Sequence, residues 1–319
     1  MATIDRVLVI KVGPVRDFIL ALPAMTQIRA AHPRATVTLL TVPAFESFAK
    51  ASGCFNAVES MIEPGKGTGW LAAGGRVRAG RYQRIYDLEG HGGTNLLFQT
   101  LRPFPPAWSG VAVGCSLPHR NVRRAAMHPL ERRAEQLQAA GIWPDAPTEP
   151  GSAPEPDLTF LAAKAADARA TTQSRPTVVL APGGLEPALL WPVERYAELA
   201  ALLTAQGYDI VVAGSPQDAP LARGIQRQAP RVRDLTGRGD LLALASLTAR
   251  AHLVVGSDPD IMQVAAAASI GAIMPLPTRI DPATVAPRGH VTVVNAANLA
   301  DLTPQTILQV APAVLPQRP

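Results

Sequence analysis

The stretch Ala181-Pro182-Gly183-Gly184-Leu185-Glu186-Pro187-Ala188-Leu189-Leu190-Trp191-Pro192 decides how the chain is read. It follows the apolar run Thr177–Leu180, which reads as a buried parallel strand, and it precedes Val193–Gln206, which reads as a helix. A Gly-rich turn from strand to helix aims backbone N–H groups and a helix N-terminus at one spot, and such a spot suits a phosphate. The same turn is also ordinary punctuation between a strand and a helix. The rest of the chain has to decide between these readings.

Outward from this turn, strand and helix patterns alternate. The second half predicts strands at Thr177–Ala181, Asp209–Ala213, His252–Val255, Ala272–Met274 and Val291–Val294. Helices are expected at Val193–Gln206, Asp218–Arg227, Leu241–Arg250, Asp260–Ala268 and Thr303–Val314. The first half opens with Arg6–Val12, a run of aliphatic residues fit for a strand buried on both faces. Phe18, Ile19, Leu22, Met25 and Ile28 have the spacing of one amphipathic helix over Asp17–Ala31. Further strands are expected at Ala35–Val42 and Tyr82–Leu88, and an edge strand at Trp108–Val113. Helices are expected at Pro43–Ala51, Thr94–Thr100 and Pro129–Ala140. Pro144, Pro147, Pro150, Pro154 and Pro156 mark a linker, followed by a short helix near Leu161–Arg169. Alternation with short loops gives parallel sheets with right-handed crossovers. The expectation is an α/β chain of two Rossmann-like domains, 1–155 and 156–319, whose parallel sheets face each other across a cleft. Ligands of such sheets bind beyond the carboxyl ends of the strands.

Composition narrows the functional classes. Of 319 residues, 47% are hydrophobic and 17% charged, which suits a buried α/β protein better than a disordered chain. The net charge of +5 fits an anionic ligand or membrane surface. There is no dense Lys/Arg block with interleaved aromatics, so no nucleic acid is expected. Cys54 and Cys115 have no metal-ligand spacing, and neither do the histidines. No apolar run reaches the ~18 residues of a bilayer span. A cytoplasmic protein is expected, with peripheral contact to the inner membrane face as an option.

Several polar residues fall at the predicted strand ends. Asp17, just past the first turn, has the place of a carboxylate complementing a helix dipole, and also that of a general base on a sugar hydroxyl. Lys11 and Arg16 flank that turn and add positive potential. Arg120, Arg123 and Arg124 form the densest basic patch, either a fork for phosphate or carboxylate or a solvated face. In the second half, Asp218 and Asp258 follow strands and suit either a ribose hydroxyl or a helix cap. Thr236 and Gly237 offer small groups at another turn. Two acids, Asp258 and Asp260, at one turn repel phosphate unless a cation or hydroxyl intervenes.

These residues in this order resemble a known family. Val7-Leu8-Val9-Ile10-Lys11-Val12-Gly13, then Asp17 and Leu20-Ala21-Leu22-Pro23-Ala24, look like the opening of the ADP-heptose:lipopolysaccharide heptosyltransferases, glycosyltransferase family 9. Asp209–Gly214, Asp234-Leu235-Thr236-Gly237-Arg238 and Val254-Val255-Gly256-Ser257-Asp258 resemble its C-terminal half in order. Tyr86-Asp87-Leu88, Trp108-Ser109-Gly110 and Met127-His128-Pro129-Leu130-Glu131-Arg132 resemble alphaproteobacterial members. The resemblance implies a GT-B fold, an acceptor-side first domain and a nucleotide-sugar-side second domain. It implies inverting, metal-independent transfer of a heptose or related sugar from ADP-heptose or a similar donor to a lipopolysaccharide-core or other envelope glycan, without a cofactor. Asp17 is then the general base. Gly183, Gly184, Asp218, Thr236, Gly237, Asp258 and Met262 fall on the donor side, and Lys11, Arg16, Arg120, Arg123 and Arg124 on the acceptor side.

The sequence departs from that family in three places. Leu189-Leu190-Trp191-Pro192 stands where the family has Lys-Arg-Trp-Pro, so a lysine that offsets diphosphate charge is missing. Asp260 and Gln263 stand where it has glycine and histidine. Arg16 replaces the glycine before the catalytic aspartate. These losses keep two alternatives open: a non-catalytic binding or scaffold protein on the same fold, and a different enzyme of that architecture, such as an epimerase.

Overall fold

Strand β1, Arg6–Ile10, lies near the middle of the first sheet, and Val7, Leu8, Val9 and Ile10 are all buried. This is the expected fate of a continuous aliphatic run, because helices cover both faces of a parallel sheet. The computed structural model describes residues 4–61, 67–161, 175–184, 186 and 190–314. The chain divides into two compact units, Met1–Pro156 and Asp157–Pro319, and the division falls in the proline-rich segment.

In the first unit, β1 is followed by α1 (Val15–Ile19), α2 (Leu22–Ala31), β2 (Thr36–Thr41), α3 (Glu46–Ala51) and β3 (Ala57–Ser60). Then come α4 (Gly67–Ala79), β4 (Arg84–Asp87), α5 (Gly92–Thr100), β5 (Ala107–Gly110), β6 (Leu117–Pro118) and α6 (Pro129–Ala139). The sheet order is β3-β2-β1-β4-β5-β6, with parallel pairing throughout. Three details differ from expectation. The helix over Asp17–Ala31 is two helices, because Pro23 has no N–H to give to the turn before it. The Trp108 strand is interior, and the edge belongs to β6, where Pro118 lacks a donor in any case. Strand β3 and helix α4 were not foreseen. Helix α4 carries Gly67, Gly69, Gly74 and Gly75, which weakens its helical signal. A Cβ at Gly74 would collide with the Thr100 hydroxyl, so glycine permits α4 to lie against α5.

The second unit contains β7 (Thr177–Ala181), β8 (Asp209–Val212), β9 (Arg233–Asp234), β10 (Leu253–Gly256), β11 (Ala272–Pro277) and β12 (Val291–Ala296). Their order is β12-β11-β10-β7-β8-β9, again all parallel. Helices run over Val193–Ala205, Ala219–Gln228, Leu241–Ala249, Pro259–Ala267 and Pro304–Val314, close to the positions expected. Trp191 and Tyr196 anchor one face of the core edge to face, and the Trp191 indole donates to the Leu302 carbonyl at 2.9 Å. The helix expected near Leu161–Arg169 lies, beyond Leu161, outside the described residues.

Candidate functional site

In the first unit the polar side chains gather at the carboxyl ends of β1 and β4. After β1, Lys11, Val12 and Gly13 turn the chain into α1, whose first turn carries Asp17. After β4, the Asp87 carboxylate accepts the Glu89 and Gly90 amides at 3.1 and 2.8 Å and folds that loop back. Glu89 is thereby delivered to the first turn. One of its oxygens, Oε2, accepts from Lys11 Nζ at 2.6 Å and from the Val12 and Gly13 amides at 3.0 Å each. Lys11 also pairs with Asp17 Oδ2 at 2.6 Å, and Arg133 on α6 reaches Asp17 Oδ1 at 2.5 Å. Lys11 is fully buried, and Arg133 nearly so.

The electrostatics follow from these contacts. Burial works against a charge on Asp17, but the Arg133 guanidinium and the Lys11 ammonium outweigh it and hold the carboxyl far below the usual carboxylate range. Burial likewise opposes ionisation of Glu89, and Lys11 with the Val12 amide outweighs it, so that carboxyl is also held low. Burial pushes the Asp87 carboxyl up. Arg124 and Arg132 are half-buried beside this group. Burial lowers both guanidinium groups, and the charge of Arg133 lowers them further. Among the described residues neither side chain donates a hydrogen bond. Arg124 turns inward against Gly90, where a Cβ would stand 2.9 Å from Nη2. Arg120 and Arg123 stay on the surface, and Arg16 sits half-buried on α1 beside Asp17.

Lys11, expected to add positive potential on the acceptor side, is enclosed between two carboxylates. Glu89, Arg132 and Arg133 were not singled out from the sequence. The signal available was the Asp87-Leu88-Glu89-Gly90 strand end and the Glu131–Arg133 run.

In the second unit the loops after β7, β8 and β10 are also closed by carboxylates. Asp218 lies between two glycines, and a Cβ on Gly183 or Gly214 would come within 2.7 or 2.8 Å of its oxygens. Its Oδ2 accepts from the Ser215 amide and hydroxyl at 2.7 and 2.6 Å, so it locks the start of the next helix. Asp234 holds the Thr236 amide and hydroxyl at 2.9 and 2.7 Å. Gly237 adopts φ +66 and donates its amide to the Gly214 carbonyl at 2.9 Å. Asp258 is the N-cap of helix Pro259–Ala267, accepting the Asp260 and Ile261 amides at 2.8 and 3.1 Å. Burial, with Asp260 and Asp218 nearby, pushes its carboxyl up to about 6.

Gly183, Gly184, Asp218 and Asp258 are thus on neighbouring loops at the strand ends, and Gly184 is exposed. Met262, expected to touch the donor, is fully buried in the core on the sheet side of its helix. Helical periodicity sends it inward with Ile261 and Ala265. Gln263 is buried as well. Leu189, with Leu185, Pro187 and Ala188, lies outside the described residues. Among the described residues no cluster of His, Cys, Asp and Glu suited to a metal ion occurs.

Two all-parallel Rossmann-like units, each with its chemistry at the carboxyl ends of the strands, define the class: an α/β protein of the GT-B type. The family model described as glycosyltransferase family 9 (heptosyltransferase) matches residues 70–273, and the chain belongs to that family. It is 35% identical over 99 residues to lipooligosaccharide heptosyltransferase 2 of Haemophilus influenzae, covering 29% of each chain. It is 29% identical over 144 residues to lipopolysaccharide heptosyltransferase 2 of Escherichia coli, covering 43% of this chain and 39% of that one. The matched stretches therefore span well under half the length of these curated relatives. The solved structure of E. coli ADP-heptose lps heptosyltransferase II has the same fold, with a TM-score of 0.77, 24% identity and coverage of 97% and 98%. The E. coli heptosyltransferase WaaC with ADP gives a TM-score of 0.73 at 19% identity, covering 97% and 99%.

Proposed function

We propose that this chain is an inverting glycosyltransferase that moves a heptose or related sugar from a nucleoside-diphosphate sugar, ADP-heptose or a close analogue, to a lipopolysaccharide-core or other envelope glycan. One observation carries the reading: Asp17, in the first turn of the helix after the first strand of a family 9 chain, is held as a carboxylate by Lys11 and Arg133. A carboxylate kept ionised and still partly open to solvent is placed to accept a proton from a sugar hydroxyl. Arg124 and Arg132, charged and without side-chain hydrogen bonds among the described residues, suit an anionic group on the acceptor, with Arg16 next to Asp17 and Arg120 and Arg123 on the surface. The loops bearing Gly183, Gly184, Asp218, Thr236, Gly237 and Asp258 take the donor in this reading. The assay is transfer from a panel of nucleotide sugars to core acceptors, and no transfer by the wild type across the panel would refute it.

A second reading, a binding or scaffold protein, is favoured by the acids on the donor side. Asp218, Asp258 and Asp260 oppose a diphosphate, and a lost charge-assisted hydrogen bond there is worth ~1.5–3 kcal/mol. Calorimetry with ADP separates the readings. Asp258 has a raised pKa, so it is largely neutral below pH 6 and repels the nucleotide only above it. ADP should therefore bind several-fold tighter at pH 5 than at pH 7.5, and Asp258→Asn, which still caps the helix, should abolish that difference. The same shift makes Asp258 favour the fold below its ordinary value near 3.8, a contribution lost as pH rises through about 6. Absence of ADP binding at either pH would support the scaffold.

A membrane contact is also proposed. Between Glu89 and Glu131 the sequence has Arg102, Arg120, Arg123 and Arg124 and no acidic residue. The same stretch exposes Phe104, Val113 and Val122 at 90%, 77% and 95%. Exposed apolar side chains among arginines suit an anionic lipid surface. Flotation with phosphatidylglycerol vesicles should carry the protein up at low salt, and the Phe104→Ser/Val122→Ser variant should stay below. Equal flotation of the two would refute this surface. Among the described residues no helix is long and apolar enough to cross a membrane.

A further inference from the structure

We propose that Glu89 is a positioning residue for the transfer reaction: it holds Lys11 against Asp17 and keeps that lysine's charge balanced when Asp17 takes the acceptor's proton. The inference rests on the reading of Asp17 as the general base.

The geometry is that of a built pair. Lys11 Nζ lies 2.6 Å from Asp17 Oδ2 and 2.6 Å from Glu89 Oε2. The Val12 and Gly13 amides grip the same Glu89 oxygen at 3.0 Å, so the carboxylate is fixed by three donors. The other oxygen, Oε1, lies 3.6 Å from His91 Nε2. Gly13 is what makes the room. A Cβ there would stand 2.7 Å from both Glu89 Oε1 and Lys11 Nζ. Glu89 is only 8% exposed, and a helix-dipole role for Asp17 would not require a second buried carboxylate behind its lysine.

Charge counting gives Glu89 its role. Before reaction, the directly paired groups are Lys11 and Arg133 against Asp17 and Glu89, two charges of each sign, and the half-buried Arg132 beside them adds further positive charge. In the transfer step the acceptor O–H bond breaks and its proton goes to the Asp17 carboxylate. The acceptor oxygen forms a bond to the anomeric carbon of the donor. The bond from that carbon to the diphosphate breaks, and its electron pair leaves on the nucleoside diphosphate. Asp17 is now neutral, and one negative charge, Glu89, remains against two cations. Were Glu89 uncharged, both cations would face no carboxylate at all in a largely buried setting, and neutralising Asp17 would be harder.

Glu89→Gln keeps an acceptor oxygen for Lys11 and the two amides and removes only the charge. Steady-state transfer is measured with ADP-heptose and a core acceptor for the wild type, Glu89→Gln, Lys11→Met/Glu89→Gln and Asp17→Asn. Glu89→Gln should lower kcat about 10–100-fold and leave both KM values within about twofold. The double variant restores one cation to one carboxylate, Arg133 to Asp17, and should regain much of the lost kcat. A merely structural Glu89 would give a double variant worse than the single. The proposal is overturned by a Glu89→Gln kcat within about twofold of wild type, or by a double variant slower than the single. If Glu89→Gln does not fold, the charge-balanced double variant decides alone, and a folded double variant without transfer overturns the proposal. An Asp17→Asn enzyme as fast as wild type defeats the base reading instead, and this inference with it.

Discussion

Asp17→Asn is expected to lower kcat for sugar transfer by about 10²–10⁴-fold while leaving nucleotide affinity unchanged. Asparagine matches the shape and can still accept a bond from Arg133 or Lys11, so the fold is retained, but it cannot take a proton. The loss belongs to the chemical step alone. Asp17 also sets a pH signature. Its carboxyl is held so low that it is ionised throughout the range where transfer is measured. An acid limb in kcat near pH 4–6 would have to come from another group. Steady-state kinetics of wild type and variant from pH 4 to 9 check both points. A variant within about threefold of wild type would remove Asp17 from the chemistry.

Lys11→Met should be the most destabilising single change in the first unit. It removes the cation between two carboxylates and leaves Glu89 buried without a charged partner. Breaking a buried pair from one side typically costs about 3–5 kcal/mol. The pH dependence has a definite sign. Asp17 and Glu89 both have depressed folded-state pKa values, from ordinary values of 3.8 and 4.5. Their contribution is fully present above those values and is lost as pH falls through the folded ones. The gap between wild type and Lys11→Met should therefore be wide at pH 7 and narrow in acid. Urea unfolding at pH 7 and in steps down to about pH 2 measures it, and a gap that does not narrow over that range would deny the pairing.

The sheets were legible because their strands are simple. Val7–Ile10 and Thr177–Ala181 are continuous apolar runs, and a parallel strand buried on both faces leaves that trace. Helix α4 was hidden by its glycines, which serve its packing against Thr100 and speak against a helix when read locally. The site was half legible. Asp17 stood out by its place after the first strand. Its partners did not, because Arg133 is 116 residues away and Glu89 lies 78 residues from Lys11. Nothing local in the sequence announces which distant arginine or glutamate the fold will bring to a given turn. Met262 failed for a different reason: a residue in a motif can serve the core beneath a site and not the site itself.

The acids on the donor side bear on what the second unit binds. In the described loops the amides of Ser215, Thr236, Asp260 and Ile261 are already bonded to carboxylates of the chain. A diphosphate has fewer free donors there than a bare Gly-rich turn would offer. If these loops take the donor as proposed, ribose and sugar hydroxyls, which donate, would suit Asp218 and Asp258, and affinity should depend on the nucleoside sugar as much as on the phosphates.

The direct measurement is acceptor-dependent release of ADP from ADP-heptose by the purified wild-type chain, followed with the glycosylated acceptor by mass spectrometry. ADP and glycosylated acceptor should form in equal amounts, with no release without acceptor and near-complete loss of both in Asp17→Asn. No transfer by the wild type from ADP-heptose or any nucleotide sugar of the panel, or release that ignores the acceptor and Asp17, would contradict it.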